Sequence, residues 1–106
     1  MTHRFGALLV AGALLIPFAH AAQADDGEAL ARKYACTSCH QLDTKVVGPA
    51  YNQVAERYDE SDKPMLVQKV LKGGAGNWGQ VPMPPHQGRV PEEDVSTIVD
   101  WVLSLK

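Results

Sequence analysis

The stretch CTSCH, Cys36 to His40, contains the only two cysteines of the chain, separated by two residues, with a histidine directly after the second. Such a group serves as a redox dithiol, as half of a zinc site or as the covalent anchor of a haem. Each use needs a different scaffold, so the surroundings of the motif decide the fold as well as the chemistry. A disulfide between Cys36 and Cys39 would close a very small loop and constrain the unfolded chain little.

Upstream of the motif, Met1 to Arg4 carries a basic residue and Phe5 to Phe18 is an almost unbroken apolar run containing Pro17. Small residues follow, with two A-x-A sites, Ala19-His20-Ala21 and Ala22-Gln23-Ala24. This layout reads as a secretory signal peptide over residues 1–24, with cleavage after Ala24 because the polar Asp25 and Asp26 follow at once. A membrane anchor is the competing reading, but the run is shorter than the ~20 residues that span a bilayer. No stable membrane insertion is expected. Residues 25–106 then form the mature domain, which holds all 12 acidic residues and nine of the ten lysines and arginines. That excess of negative charge argues against nucleic acid as a partner. A single domain of this size buries little apolar surface and usually needs a disulfide, metal or cofactor as an internal staple.

The remaining pattern is helical. The first helix is expected from about Asp26 to Ala35, capped by Asp25 or Asp26, with Ala29, Leu30 and Tyr34 on one side. A second runs from Pro49 to Tyr58, with Tyr51, Val54 and Ala55 on a shared face. A third starts at Ser61 or Asp62, carries Leu66, Val67, Val70 and Leu71, and stops at Gly73 and Gly74. The last, Pro91 to about Leu105, repeats Val95, Ile98, Val99, Val102 and Leu103 at helical spacing. Acidic Glu92, Glu93 and Asp94 in its first turn and Lys106 at its end suit the helix dipole. Its cap is weak, because Val90 has no side-chain acceptor. No strand alternation is present, so the expected fold class is all-α, with three to five short helices. Trp101 is expected in the core of the last helix, packed against the first.

Between the third and last helices lies GGAGNWGQVPMPPHQGRV, Gly73 to Val90, too rich in glycine and proline to be a regular element. Its Trp78, Val81 and Met83 suggest a loop wrapped over something apolar, since loops of this length in small domains are usually functional or disordered. That matters for the choice of chemistry. A thioredoxin-like dithiol needs CxxC in a βαβ setting, and here it follows a helix. Zinc needs four ligands, and although Cys36, Cys39, His40 and His86 make four by count, their spacing does not suit a structural site. The motif C-x-x-C-H as a haem c attachment fits best. Its two thiols can reach the two vinyl groups of one porphyrin, and its histidine can project toward the iron. Haem also supplies the missing core, and thioether bonds would consume a thiol pair that otherwise oxidises outside the cytoplasm. For the sixth ligand, Met65 sits in a helical pattern and reads as ordinary packing. Met83 is held in VPMPPH between Pro82 and the pair Pro84 and Pro85, a stiff strap that presents one side chain at low entropic cost. Met83 is therefore expected as the ligand in preference to His86, and a His/Met pair raises the reduction potential relative to bis-histidine.

The segments CTSCHQLDTKVVGPAY, GNWGQVPMPP and VDWVLSLK together resemble the small bacterial class I cytochromes c of the cytochrome c-551 type, in the family's order and over essentially the whole mature chain. The resemblance implies a compact all-α domain around one haem c, with thioethers at Cys36 and Cys39 and axial ligands His40 and Met83. It also implies that the Pro49 carbonyl accepts the proximal imidazole N–H, that the Trp78 indole N–H bonds a haem propionate, and that Lys69 lies where an arginine often binds a propionate. Lysine lacks the bidentate fork of arginine. His86 departs from the asparagine common at that position; it either imitates the asparagine's bond or is an exposed loop histidine.

The function implied is that of a periplasmic monohaem electron carrier, not an enzyme, shuttling single electrons between respiratory complexes and terminal reductases such as nitrite reductase or oxidases. It is expected to be a monomer that docks transiently with redox proteins at the haem edge. Val46, Val47, Gly48, Val81 and Pro82 are candidates for an apolar rim there, the alternative being that the valines pack inward. Lys45, Lys69 and Lys72 are candidates for a cationic border that steers acidic partners. A haem enzyme or gas sensor is the rival reading and needs an open distal side. A cytochrome domain serving as a fixed subunit is a second rival.

Overall fold

The computed structural model describes residues 6–14 and 21–106. Residues 1–5 and 15–20, which hold much of the expected signal segment, lie outside the described residues. Residues 6–14 form no regular element and leave Leu8, Leu9, Val10 and Leu14 exposed. The rest is helical: α1 Ala21–Lys33, α2 Tyr51–Arg57, α3 Lys63–Lys72 and α4 Glu92–Leu103. Single 3-10 turns at Cys36–Ser38 and Glu60–Asp62 lie in the α1–α2 and α2–α3 connections. Among the described residues the only β-type pairings are isolated bridges, His40 with Lys45 and Gly74 with Met83. The expected all-α class is what the chain adopts.

Helix α4 organises the packing, touching α1, α2 and α3. Its apolar residues cover more than one face, and this lets one helix serve two clusters. Val95, Val99 and Leu103 meet Val67 and Leu71 of α3 and Val90. Ile98, Trp101 and Val102 meet Ala31 of α1 and Tyr51 of α2. Polar clasps hold the same helix from both sides. The Tyr34 hydroxyl donates to the Asp94 carboxylate at 2.6 Å, and the Lys63 ammonium pairs with Asp100 at 2.7 Å.

The α1–α4 approach depends on small residues. Gly27 and Ala31, one turn apart, are buried. A Cβ on Gly27 would stand 2.8 Å from the Thr97 carbonyl oxygen and collide with the Trp101 side chain. Trp101 is therefore packed against the first helix, as its sequence position led us to expect, and it also meets the Tyr51 ring edge-on at 5.2 Å.

Helix boundaries depart from the expected ones in instructive ways. Residues 21–24 are helical, so Asp25 and Asp26 lie inside α1 rather than at its start; the alanine-rich run preceding them has high helix propensity. At its other end α1 stops at Lys33, and Ala35 adopts a left-handed φ of 59°. Pro49 lies before the extended Ala50, outside α2, which leaves its carbonyl free. The turn before α3 is capped by Asp59, whose carboxylate accepts from the Ser61 N–H at 2.9 Å while Asp62 accepts from the Asp59 N–H at 3.0 Å. Pro91 precedes α4 without a side-chain cap, and its carbonyl accepts from Asp94 and Val95.

Two substitutions test this packing. Gly27→Ala should destabilise the protein by about 1–3 kcal/mol despite alanine's better helix propensity, because the added methyl overpacks the α1–α4 contact. Ala35→Gly should stabilise it by about 0.5–1 kcal/mol, since glycine takes the left-handed conformation without the Cβ penalty but loses more entropy on folding. Thermal and denaturant unfolding of the two variants beside the parent would check both signs.

Candidate haem site

The turn after α1 converts the spacing of CTSCH into a surface. The left-handed Ala35 redirects the chain, and the amides of Cys39 and His40 both donate to the Cys36 carbonyl, at 3.2 and 3.0 Å. This tight turn sets Cys36, Cys39 and His40 side by side on a cavity of about 200 Å³. Well-packed interiors hold few voids larger than a single water, whose share of liquid volume is roughly 30 Å³. Val95, Ile98, Val99 and Val102 of α4 contribute apolar wall, and Met83 lines the same cavity.

His40 is held from three directions. Its Nδ1–H donates to the Pro49 carbonyl at 2.8 Å, which leaves Nε2 as the ring nitrogen able to coordinate a metal. The Tyr51 ring stacks on it at 5.2 Å with 19° between the planes. Gly48 supplies the third contact, because a Cβ there would come within 2.8 Å of Nδ1. Burial, with the adjacent Cys36 thiol adding to it, holds the Tyr51 hydroxyl protonated far above the usual tyrosine range. The ring therefore acts as a neutral wall behind the imidazole.

Cys36 and Cys39 are not joined to each other as a disulfide. Burial pushes the Cys36 thiol up. Among the described residues no three His, Cys, Asp or Glu side chains gather as a metal site, so the four residues counted for zinc do not converge.

The loop after α3 forms the rest of the cavity. Gly73 ends the helix with a φ of 69°, and a Cβ there would lie 2.8 Å from the Pro85 nitrogen, so the strap lies directly against the helix end. Met83 and Gly74 exchange two backbone hydrogen bonds, at 3.0 and 2.9 Å. Trp78 and Lys69 also line the cavity, the Lys69 ammonium 3.1 Å from where a Cβ on Gly74 would stand. Met65, by contrast, is exposed and away from the cavity.

His86 resolves differently from one of its two expected alternatives. It is 8% exposed, so it is no exposed loop histidine. Its amide bonds the Val70 and Leu71 carbonyls, its side chain lines the cavity, and its buried Nδ1 has no partner within the protein. Val46, Val47 and Val81 are exposed, Val81 at 65%, and Val47, Val81 and Pro82 border the cavity. Lys45 and Lys72 are exposed, whereas Lys69 is half-buried.

Two contributors were not legible as site residues. Tyr51 reads as an ordinary core position of its helix, and only its place two residues after Pro49 hints that it meets His40. Arg57 reads as a solvated helix end, yet its guanidinium donates to the Asn77 carbonyl at 2.6 Å and lies over the Trp78 ring at 4.6 Å.

An imidazole nitrogen and a thioether sulfur on one apolar cavity, with two thiols on its wall and an unpartnered buried imidazole nitrogen beside it, fit a covalently held haem. The comparisons agree. The sequence pattern of the cytochrome c family matches residues 24–106. The chain is 50% identical to cytochrome c-551 of Allochromatium vinosum over 72% of its own length and 82% of that protein's. It is 43% identical to cytochrome c-552 of Nitrosomonas europaea, covering 99% of this chain and 93% of that one. The crystal structure of wild-type Nitrosomonas europaea cytochrome c552 superposes with a TM-score of 0.70 at 44% identity, covering 74% of this chain and 99% of that one. With a cavity of this donor set and relatives this similar, the chain belongs to the cytochrome c family, as a small class I cytochrome c of the c-551 type: a monohaem electron carrier with covalently bound haem c, and not an enzyme.

Proposed function

We propose that the protein carries single electrons in the bacterial periplasm, with His40 and Met83 as axial ligands and Cys36 and Cys39 as thioether anchors. The observation that supports this most is that all four side chains line one apolar cavity although the strap bearing Met83 is remote in sequence from CTSCH. Bound haem c supplies a one-electron iron couple. The residues of the chain do the rest. The hydrogen bond from His40 to the Pro49 carbonyl orients the imidazole and raises its donor strength. The stiff Pro82–Met83–Pro84 segment presents a soft sulfur, which favours the ferrous form and raises the potential. The indole N–H of Trp78 and the ammonium of Lys69 are suited to the haem propionates. Apolar walls from α4 exclude water.

Export as a signal-bearing precursor, residues 1–24, is supported by the basic, apolar and small-residue order of that segment. No helix among the described residues is long and apolar enough to cross a membrane. The mature domain, residues 25–106, would work as a monomer that docks transiently through the exposed apolar rim of Val47, Val81 and Pro82. The exposed Lys45 and Lys72 would favour an acidic surface on the partner. Terminal reductases, such as nitrite reductase or oxidases, and the respiratory complexes that feed them are the partner class that this resemblance supports.

The optical spectrum of the purified holoprotein tests the ligand set. The expected result is a haem c pyridine haemochrome and a weak ferric methionine-to-iron charge-transfer band. Met83→Ala should abolish that band, lower the potential and allow the ferrous protein to bind carbon monoxide. A parent protein without the band, or one that binds carbon monoxide readily at neutral pH, would overturn the assignment and favour a sensor or enzyme.

Removing the haem should unfold the domain. A cavity of about 200 Å³ costs on the order of 5 kcal/mol at the usual penalty per unit volume. That is comparable with the whole stability of a small domain. The Cys36→Ala, Cys39→Ala double variant, produced without haem, should therefore show little native helix by far-UV circular dichroism at neutral pH.

A further inference from the structure

Loop 74–83 is tied at its neck by the paired hydrogen bonds of Gly74 and Met83 and at its tip by the Gly76 amide donating to the Gly79 carbonyl at 2.8 Å. Gly74, Gly76 and Gly79 all have positive φ, so the loop's path relies on residues with the greatest backbone freedom. Among the described residues, one side-chain hydrogen bond reaches this loop from outside: Arg57 Nη1–H donating to the Asn77 carbonyl at 2.6 Å. The same guanidinium lies 4.6 Å from the Trp78 ring centroid and 5.4 Å from that of Tyr58. Tyr58 in turn meets Trp78 edge-on at 6.4 Å.

Helix α2 carries both ends of this arrangement. Its first residue, Tyr51, stacks on His40, and its last, Arg57, grips the loop that ends at Met83. A seven-residue helix is a rigid strut of about 10 Å. We propose that Arg57 is a positioning residue for the distal ligand: it clamps Asn77 and Trp78, and thereby fixes the Met83 strap relative to the His40 wall. The inference rests on the reading of Met83 as the sixth ligand. A guanidinium suits the task because it stays charged at all working pH values and offers a planar face for the indole together with fixed donors for the carbonyl.

The test is a pH titration of the ferric methionine-to-iron band in the holoprotein, with amide hydrogen exchange at Gly74 and Met83 measured alongside. A charge-assisted hydrogen bond and a cation–π contact together are worth about a tenfold shift in the ligand-on equilibrium. In Arg57→Gln the band should therefore disappear about one pH unit lower than in the parent, with faster exchange at both amides. Arg57→Lys, which keeps the charge but not the planar fork, should fall between. Arg32→Gln, at an exposed residue of α1, should leave the titration unchanged. A lowered thermal midpoint with unaltered band titration and exchange would make Arg57 merely structural and overturn the inference. A parent protein that lacks the band would overturn the Met83 ligation, and the inference with it.

Discussion

The hydrogen bond from His40 Nδ1–H to the Pro49 carbonyl, 2.8 Å long, is the constraint on which the site depends. It determines which imidazole nitrogen faces the cavity, and it closes the segment between the cysteine motif and α2. The bond exists because Pro49 lies outside the helix: Ala50 is extended, and the Ala50 carbonyl rather than that of Pro49 accepts the first helical amides. Gly48 is the necessary companion, since any side chain there would displace the ring. From this point α2 begins with Tyr51 against the imidazole and ends with Arg57 against the loop that leads to Met83, so one short helix spans the two walls that carry His40 and Met83.

The packing follows from how little chain is available. Two apolar clusters share α4, and the surface of α4 between them borders the cavity. Neither cluster closes the core by itself; the haem is its third component, which is why the covalent anchor and the fold belong to one problem. The same economy explains Gly27 and Ala31, which let α1 approach α4 closely enough that Trp101 fills the junction.

Much of this was legible from residue order. The four helices follow from apolar spacing, and the site was legible where chemistry is carried by unusual side chains in a local pattern. Cys36, Cys39 and His40 form a contiguous motif, and Met83 is marked by the prolines around it. What could not be read were contacts between segments. Asp25 and Asp26 look like caps, but propensity carries the helix past them. Asp59 caps the turn before α3, a role disguised by Ser61 and Asp62, which look equally eligible. Tyr51 and Arg57 resemble an ordinary core residue and an ordinary surface cation, because their partners, His40 and Trp78, lie in other segments.

The sequence by itself determined the all-α class, the attachment motif, the strap and the pairing of a histidine with a methionine as candidate ligands, since each depends on local spacing or on the chemistry of one side chain. The tertiary structure alone decided that His86 is buried beside the cavity and that Arg57 reaches Trp78. The physical reason is the same in each case. Burial and pairing are properties of two surfaces brought together, and no single stretch of chain contains both.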